Sequence, residues 1–305
     1  MENRNVLQYI IITLKGMAMG IAELVPGVSG GTIAFVAGIY EEFITSINNL
    51  NLKTLQLWRK EGFKAFWKEL NGNFLLALLM GMAISILSFT KLIRWLLENE
   101  PIPLWSFFFG LVVASIIFVA KAIKKWNIAT IVLFIVGAVI AYYITSLPPS
   151  QNTESLPFIF FSGAIAICAM ILPGISGSFI LVLLGAYKTV IDAIDEKDFK
   201  ILITMALGML FGILSFARLL KWMFNKHKSI TLAILTGFIL GSLNKIWPWK
   251  LVLETKTIGH KIVTLKEQNI SPFSFEGDPQ LMFALLAAII GFSLIFILEK
   301  LASRN

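Results

Sequence analysis

The sequence predicts an all-α polytopic membrane protein made of two inverted-topology repeats, each a re-entrant, broken helix pair followed by three transmembrane helices. Three observations lead there. The chain is 57% hydrophobic and only 14% charged, with a mean hydropathy of +0.81, well outside soluble usage. A motif occurs twice, Pro26-Gly27-Val28-Ser29-Gly30-Gly31 and Pro173-Gly174-Ile175-Ser176-Gly177-Ser178, and each copy interrupts a long apolar stretch. Finally, the chain matches itself without gaps: residues 16–47 share 11 of 32 identities with 163–194, and residues 81–115 share 10 of 35 with 208–242. Such self-similarity marks an internal duplication.

The first repeat is expected over residues 1–147. It opens with a broken pair at 6–47, which runs through Glu23 and Pro26 without a small-residue cleavage pattern and so reads as retained, not as a signal peptide. Residues 48–70, rich in Lys, Trp and Phe, have no counterpart in the second repeat and read as an amphipathic interfacial helix. Three apolar stretches follow at 74–90, 104–120 and 128–146, about the length a spanning helix needs. The second repeat, 148–305, holds a broken pair at 157–194 and stretches at 201–217, 230–246 and 281–298. Its outer loop, 247–280, alternates apolar and polar residues around Gly259, the pattern of a β-hairpin. A broken pair that enters and leaves on one side gives each half three crossings, and an odd count inverts the second half. Most Lys and Arg then fall on the side of the N- and C-termini, which the positive-inside rule makes cytoplasmic.

Composition also excludes functions. The net charge of +8 comes from basic residues between apolar segments, where they orient helices, so nucleic acid is not expected as a partner. Cys168 is the only cysteine and reads as a small buried hydrophobe. His227 and His260 fall in charged loop segments without metal-ligand spacing, so no metal and no cofactor are expected. The apolar regions hold no paired carboxylates and no nucleophile motif, which argues against an enzyme such as a lipid phosphatase and leaves no catalytic residue to name.

The doubled motif carries the chemistry. Proline ends the incoming helix, glycines let the backbone turn, and Ser29 and Ser176 stand as N-caps of the half-helices that begin at Gly30 and Gly177. Bilayer interiors tolerate such backbone only where protein buries it or it lines a polar cavity. Exposed amides at a helix start suit an anion, and two such termini related by inversion would face each other near the midplane. Substrate-binding candidates are therefore Ser29, Gly30, Gly31, Thr32, Ser176, Gly177 and Ser178. Glu23 is the one acidic residue inside an apolar stretch and joins them, as a proton carrier or as the partner of a cation. Met170 stands at its place in the second copy, and Phe179 at that of Thr32, so the first loop is the more polar. Lys91 and Arg218, with Arg94 and Lys221 one turn on, occupy equivalent helix positions and would draw a phosphate in or snorkel to the interface. Lys15 lies on the same helix as Glu23, directed to the interface or the cavity.

At these residues the chain resembles a known family. GMAMGIAELVPGVSGGTIAFVAGIY from Gly16 and AMILPGISGSFILVLLGAY from Ala169 look like the paired signatures of the bacterial polyprenyl-phosphate transporters known as PopT. The resemblance implies translocation of undecaprenyl phosphate across the cytoplasmic membrane, recycling the lipid carrier for peptidoglycan and other envelope polymers. Membrane lipids are then its other partners, and a homo-oligomer is left open. By residue chemistry alone, a carrier or channel for a small inorganic anion fits the two opposed loops equally well.

Overall fold

The structure is a computed structural model that describes residues 4–150, 155–258 and 261–302. The first broken pair forms α1 (Val6–Glu23), α2 (Gly30–Val36) and α3 (Tyr40–Asn48); the second forms α9 (Leu156–Ile171), α10 (Gly177–Leu183) and α11 (Tyr187–Asp195). Between them lie α4 (Leu52–Glu61), α5 (Phe63–Glu69), α6 (Gly72–Asn99), α7 (Pro101–Lys121) and α8 (Ile128–Ser146). After α11 come α12 (Phe199–Ser242), the strands β1 (Lys250–Ile258) and β2 (Lys261–Asn269), and α13 (Leu281–Ala302). The fold is thus mostly helical, as expected, and the outer-loop hairpin is present as an antiparallel pair with a register shift between Val252 and Thr255. Its tip, Gly259 and His260, lies outside the described residues.

Local chemistry sets the ends of these elements. Asn5 and Gln8 close a capping box on α1, and Asn127 with Thr130 closes another on α8. Pro101 opens α7, where its missing N–H costs nothing. Gly27 and Gly174 take φ of 83° and 94°, a left-handed region that a Cβ disfavours, so both Pro-Gly turns depend on glycine. Gly185, at φ 76°, breaks α10 from α11, and the two helices meet at 106°.

Two expectations are corrected. The insertion at 48–70 is two short helices, not one, because Gly62 at φ 85° ends α4 and starts α5; the rings of Trp58, Phe63, Phe66 and Trp67 then stack together. The stretches 201–217 and 230–246 lie on two helices, both within α12, that meet without a loop at a kink on His227 (φ −136°, ψ 49°). His227 is therefore the junction of two helices and not part of a longer loop. Its Trp222 neighbour stacks edge-on against the ring.

Among the described residues, five helices are long and apolar enough to cross a membrane, or six if the bent α10–α11 pair is one span. Large apolar side chains stand exposed along them, Leu87 at 84% and Val139 and Phe211 among them, a surface that water would not tolerate and lipid would. Lipid tails are as apolar as leucine, so helix association here depends on close packing through small residues. The duplication shows in that packing. A Cβ on Gly81 would lie 2.0 Å from the carbonyl oxygen of Thr13, and one on Gly208, its counterpart, 2.0 Å from that of Phe160. So α6 runs against α1 as α12 runs against α9. The later helices exchange partners: a Cβ on Gly110 of α7 would lie 2.0 Å from the carbonyl oxygen of Ala288 on α13, while one on its counterpart Gly237 of α12 would lie 2.1 Å from that of Phe134 on α8. Each half thus lends a helix to the other.

In each copy the start of the first helix is in contact with, or clusters with, the third. Arg4, ahead of α1, forms an ion pair with Glu42 of α3 at 2.7 Å, and Asn71, ahead of α6, donates to the same carboxylate at 2.7 Å. In the second copy Phe158 near the start of α9, Val190 of α11 and Ile201 near the start of α12 pack in one cluster.

Candidate functional site

The two loops lie against each other, although 142 or 143 residues separate their contacts. Ser29 Oγ donates to the carbonyl of Leu172 at 3.1 Å, and the amide of Gly174 donates to Thr32 Oγ1 at 2.9 Å. The hydroxyl of Tyr40 adds a bond to the carbonyl of Ile171 at 3.2 Å. Ser29, Thr32 and Tyr40 are each at most 2% exposed, so these bonds work in a poorly screened interior where leaving one unmade is costly. A Cβ on Gly31 would come within 2.6 Å of the Ile171 carbonyl oxygen, which is why glycine stands there.

Within the first loop most polar groups satisfy one another. The amide of Gly30 donates to Glu23 Oε1 at 2.8 Å and that of Gly31 to Ser29 Oγ at 3.1 Å. Lys15 does not reach this point; its Nζ donates to the carbonyl of Ala37 at 2.7 Å, at the end of α2. The second loop differs. Ser176 Oγ accepts from the amide of Phe179 at 3.2 Å and lies 3.3 Å from Ser178 Oγ. Where Glu23 caps Gly30, Met170 only packs, its Cβ 3.3 Å from where a Cβ on Gly177 would sit. The amides of Gly177 and Ser178 have no acceptor within their helix, by position, and Ser178 is exposed while Ser176 is buried. Both α2 and α10 are seven residues long, so amides and hydroxyls at close range, rather than a long macrodipole, give the site its polarity.

The structure therefore brings Ser29, Gly31 and Thr32 against the end of α9 and Gly174, with Glu23 and Gly30 bonded to each other in the first loop, while Ser176, Gly177 and Ser178 follow Gly174 in the second. It does not gather Lys91 and Arg218, which stand exposed on α6 and α12. Lys221 is half-buried and reaches Asn49 Oδ1 at 3.4 Å. Cys168 is not fully buried as expected; it is of intermediate exposure, with its thiol directed at the carbonyl of Gly212. Sequence reasoning missed Lys245. Its stem passes 2.8 Å from where a Cβ on Gly27 would be, and its Nζ lies 4.9 Å from the ring centroid of Phe179, so it touches both loops. The signal was a lysine at the end of the apolar stretch 230–246, just before Ile246-Trp247.

Comparison with known proteins completes the description. The undecaprenyl phosphate translocase-like family matches residues 19–264, which include both loops. The chain belongs to that family. It is 43% identical over 303 residues to a polyprenyl-phosphate transporter of Vibrio cholerae serotype O1, covering 98% of each chain. To a polyprenyl-phosphate transporter of Staphylococcus aureus it is 34% identical over 253 residues, 77% of this chain and 85% of the relative. No solved structure matches it. Members of the translocase-like family are multi-pass membrane transporters and not enzymes.

Proposed function

We propose that this protein carries undecaprenyl phosphate, or a related polyprenyl phosphate, across the cytoplasmic membrane and takes the headgroup at the junction of the two Pro-Gly-x-Ser-Gly loops. A phosphate monoester bears about −1.5 to −2 charges at neutral pH and cannot cross hydrocarbon unaided. The junction offers replacements for its lost hydration: the hydroxyls of Ser29, Thr32, Ser176 and Ser178 and the amides of Gly177, Ser178 and, once Glu23 withdraws, Gly30. The prenyl tail stays in lipid. The observation that carries this reading is the pair of cross-loop bonds, Ser29 to Leu172 and Gly174 to Thr32, because they join the two Pro-Gly-interrupted helix pairs at their breaks.

The meeting of the first helix's start with the third helix in each copy supports re-entrant pairs, hence two repeats of inverted topology, 1–147 and 148–305, with both termini cytoplasmic. Lys53, Arg59, Lys60, Lys64 and Lys68 on α4 and α5 then face the anionic inner leaflet. Lys91 and Arg218 assist at the interfaces. Glu23 couples a proton: its carboxylate occupies the Gly30 amide, and the phosphate must displace it or wait for it to protonate.

The test is leaflet exchange of labelled undecaprenyl phosphate in proteoliposomes. Ser29→Ala/Ser176→Ala should lose most of the protein-dependent exchange that the natural chain shows. Unchanged exchange in the double variant would remove the loops from the path, and flux of inorganic phosphate without lipid exchange would favour a small-anion carrier.

A further inference from the structure

Beyond α12 the chain brings together two lysines and a glutamate that neither the motif nor the duplication explains. Lys245 Nζ donates to Glu267 Oε1 at 2.7 Å, and Lys250 Nζ donates to the same oxygen at 3.1 Å. Lys250 also donates to the carbonyl of Lys245 at 2.5 Å. The cluster is largely buried, with 10% of the Lys250 side chain, 19% of Lys245 and 21% of Glu267 exposed. Two ammonium groups thus share one carboxylate oxygen, and a net positive charge stays in a place with little water to screen it. Burying unbalanced charge is costly, and an anion with more charge and more oxygens would relieve it better than a carboxylate does.

The cluster's surroundings suit a lipid phosphate. Lys245 lies against Gly27 of the first loop and over Phe179 of the second, and Lys250 lies 4.5 Å from the ring centroid of Trp105 on α7. Aromatic faces beside cations accept an alkyl chain while the cations hold its headgroup. Glu267 reaches the lysines from β2, on a hairpin that belongs to neither repeated block. Lys250 itself opens β1, and the base of the hairpin is held by few bonds: Asn269 Nδ2 to the Asn244 carbonyl at 2.8 Å and, between the two strand ends, the Ile270 amide to the Trp249 carbonyl at 3.1 Å.

We propose that Lys245 and Lys250 form a second receiving site for the phosphate monoester of a prenyl lipid, next to the paired loops, and that Glu267 is its built-in occupant, displaced as the base of β2 parts from β1 when the headgroup arrives. The inference rests on the loop junction being the headgroup path. A phosphate handed from the lysines to the loops travels only the length of the Lys245 side chain, since that side chain touches both.

Binding of farnesyl phosphate to the full chain in lipid nanodiscs tests it, with inorganic phosphate as the second probe. Glu267→Gln should bind farnesyl phosphate about fivefold tighter, the factor recovered when a site closed about four-fifths of the time is opened. Lys245→Gln should bind about tenfold weaker, as for loss of one charge-assisted partner, and in Glu267→Gln/Lys245→Gln the gain should vanish. In the natural chain, farnesyl phosphate should speed hydrogen exchange at the Asn269 and Ile270 amides, a readout that does not depend on any variant folding. Glu267→Gln binding no tighter than the natural chain, or hairpin amides that slow or do not change, would overturn the proposal and leave a structural ion cluster. Inorganic phosphate binding as tightly as farnesyl phosphate would overturn the lipid assignment. If Ser29→Ala/Ser176→Ala binds normally while the lysine and glutamate effects persist, the loop reading fails and this site stands; the reverse pattern spares the loops and sinks this site.

Discussion

Thr32→Val is the sharpest probe of the loop junction, because valine keeps the shape of threonine and removes only the hydroxyl. Thr32 is 1% exposed, and its Oγ1 accepts the Gly174 amide at 2.9 Å. In the variant that amide has no acceptor and no access to water, a loss of about 1–3 kcal/mol for a buried donor. Spread over an equilibrium between paired and parted loops, that energy is about a 5- to 150-fold shift toward the parted state. Hydrogen exchange at Gly174 reads the shift directly, and leaflet exchange of labelled lipid reads its consequence. Thr32→Ser restores the hydroxyl and should return most of the protection; Thr32→Val should lower protection of Gly174 within that range and change the transport rate. Equal protection in Thr32→Val and the natural chain would refute the claim that this bond ties the loops together.

Other outcomes follow from the same geometry. Gly81→Ala and Gly208→Ala each place a methyl 2.0 Å from a facing carbonyl oxygen, so both should lower thermal stability in detergent by overpacking, about 1–3 kcal/mol each; two unaffected melting curves would contradict the close approach. Glu23→Gln retains an acceptor for the Gly30 amide at 2.8 Å and should fold normally while flattening the pH dependence of lipid exchange, whereas Glu23→Leu should also lose stability; a pH profile unchanged in Glu23→Gln would end its role in coupling. Burial, offset in part by Glu267 and reinforced by Lys245, lowers the pKa of Lys250 from the usual lysine range to about 8. Its ammonium is therefore lost as pH rises through about 8, and farnesyl phosphate binding should weaken by at most about tenfold per pH unit above that point. Glu267 stays ionised there, since the two lysines outweigh its burial and hold its pKa below the carboxylate norm, so Lys250→Arg should abolish the decline if Lys250 causes it. Finally, fragments 1–150 and 151–305 made together should co-purify, and neither should be stable alone, because α8 packs on α12 and α13 on α7; an independently folded fragment would show the exchange to be dispensable.

What the sequence made legible was whatever local chemistry or repetition encodes. The bounds of α8 coincide with the expected 128–146 because Asn127 and Thr130 cap one end and a Pro-Pro pair follows the other. The duplication was visible as identities, and glycines at matching positions became matching helix contacts. The asymmetry of Glu23 and Met170 was visible too, but its meaning was not: the first loop, richer in polar residues, turns most of them on itself and on the second loop's backbone, so the amides without an intrahelical acceptor lie at Gly177 and Ser178. Lys245 escaped because a lysine at the end of an apolar run looks like a topology signal until its neighbours are known. The shortness of the break in α12 escaped for a related reason, since the basic residues around His227 resemble a loop although the two helices meet at a kink of one residue.

The exchange of helices between halves bears on how such a protein can move. Alternating access is readily drawn as one repeat rocking against the other. Here residues 1–147 and 148–305 are joined through α7 with α13 and α8 with α12, and these contacts run glycine to carbonyl, at distances that leave no room for sliding. A rigid motion along the sequence boundary would have to part both pairs. The joints between loops are of another kind: Ser29 and Tyr40 donate to carbonyls at the end of α9 and Thr32 accepts from the Gly174 amide, single hydrogen bonds whose partners a phosphate oxygen or a water can replace. Discrete polar contacts break and reform at far smaller cost than close-packed helix surfaces separate. The easiest movement therefore parts the loops while the exchanged helix pairs stay whole, and the units that shift are those carrying α1 to α3 and α9 to α11, not the two halves of the chain.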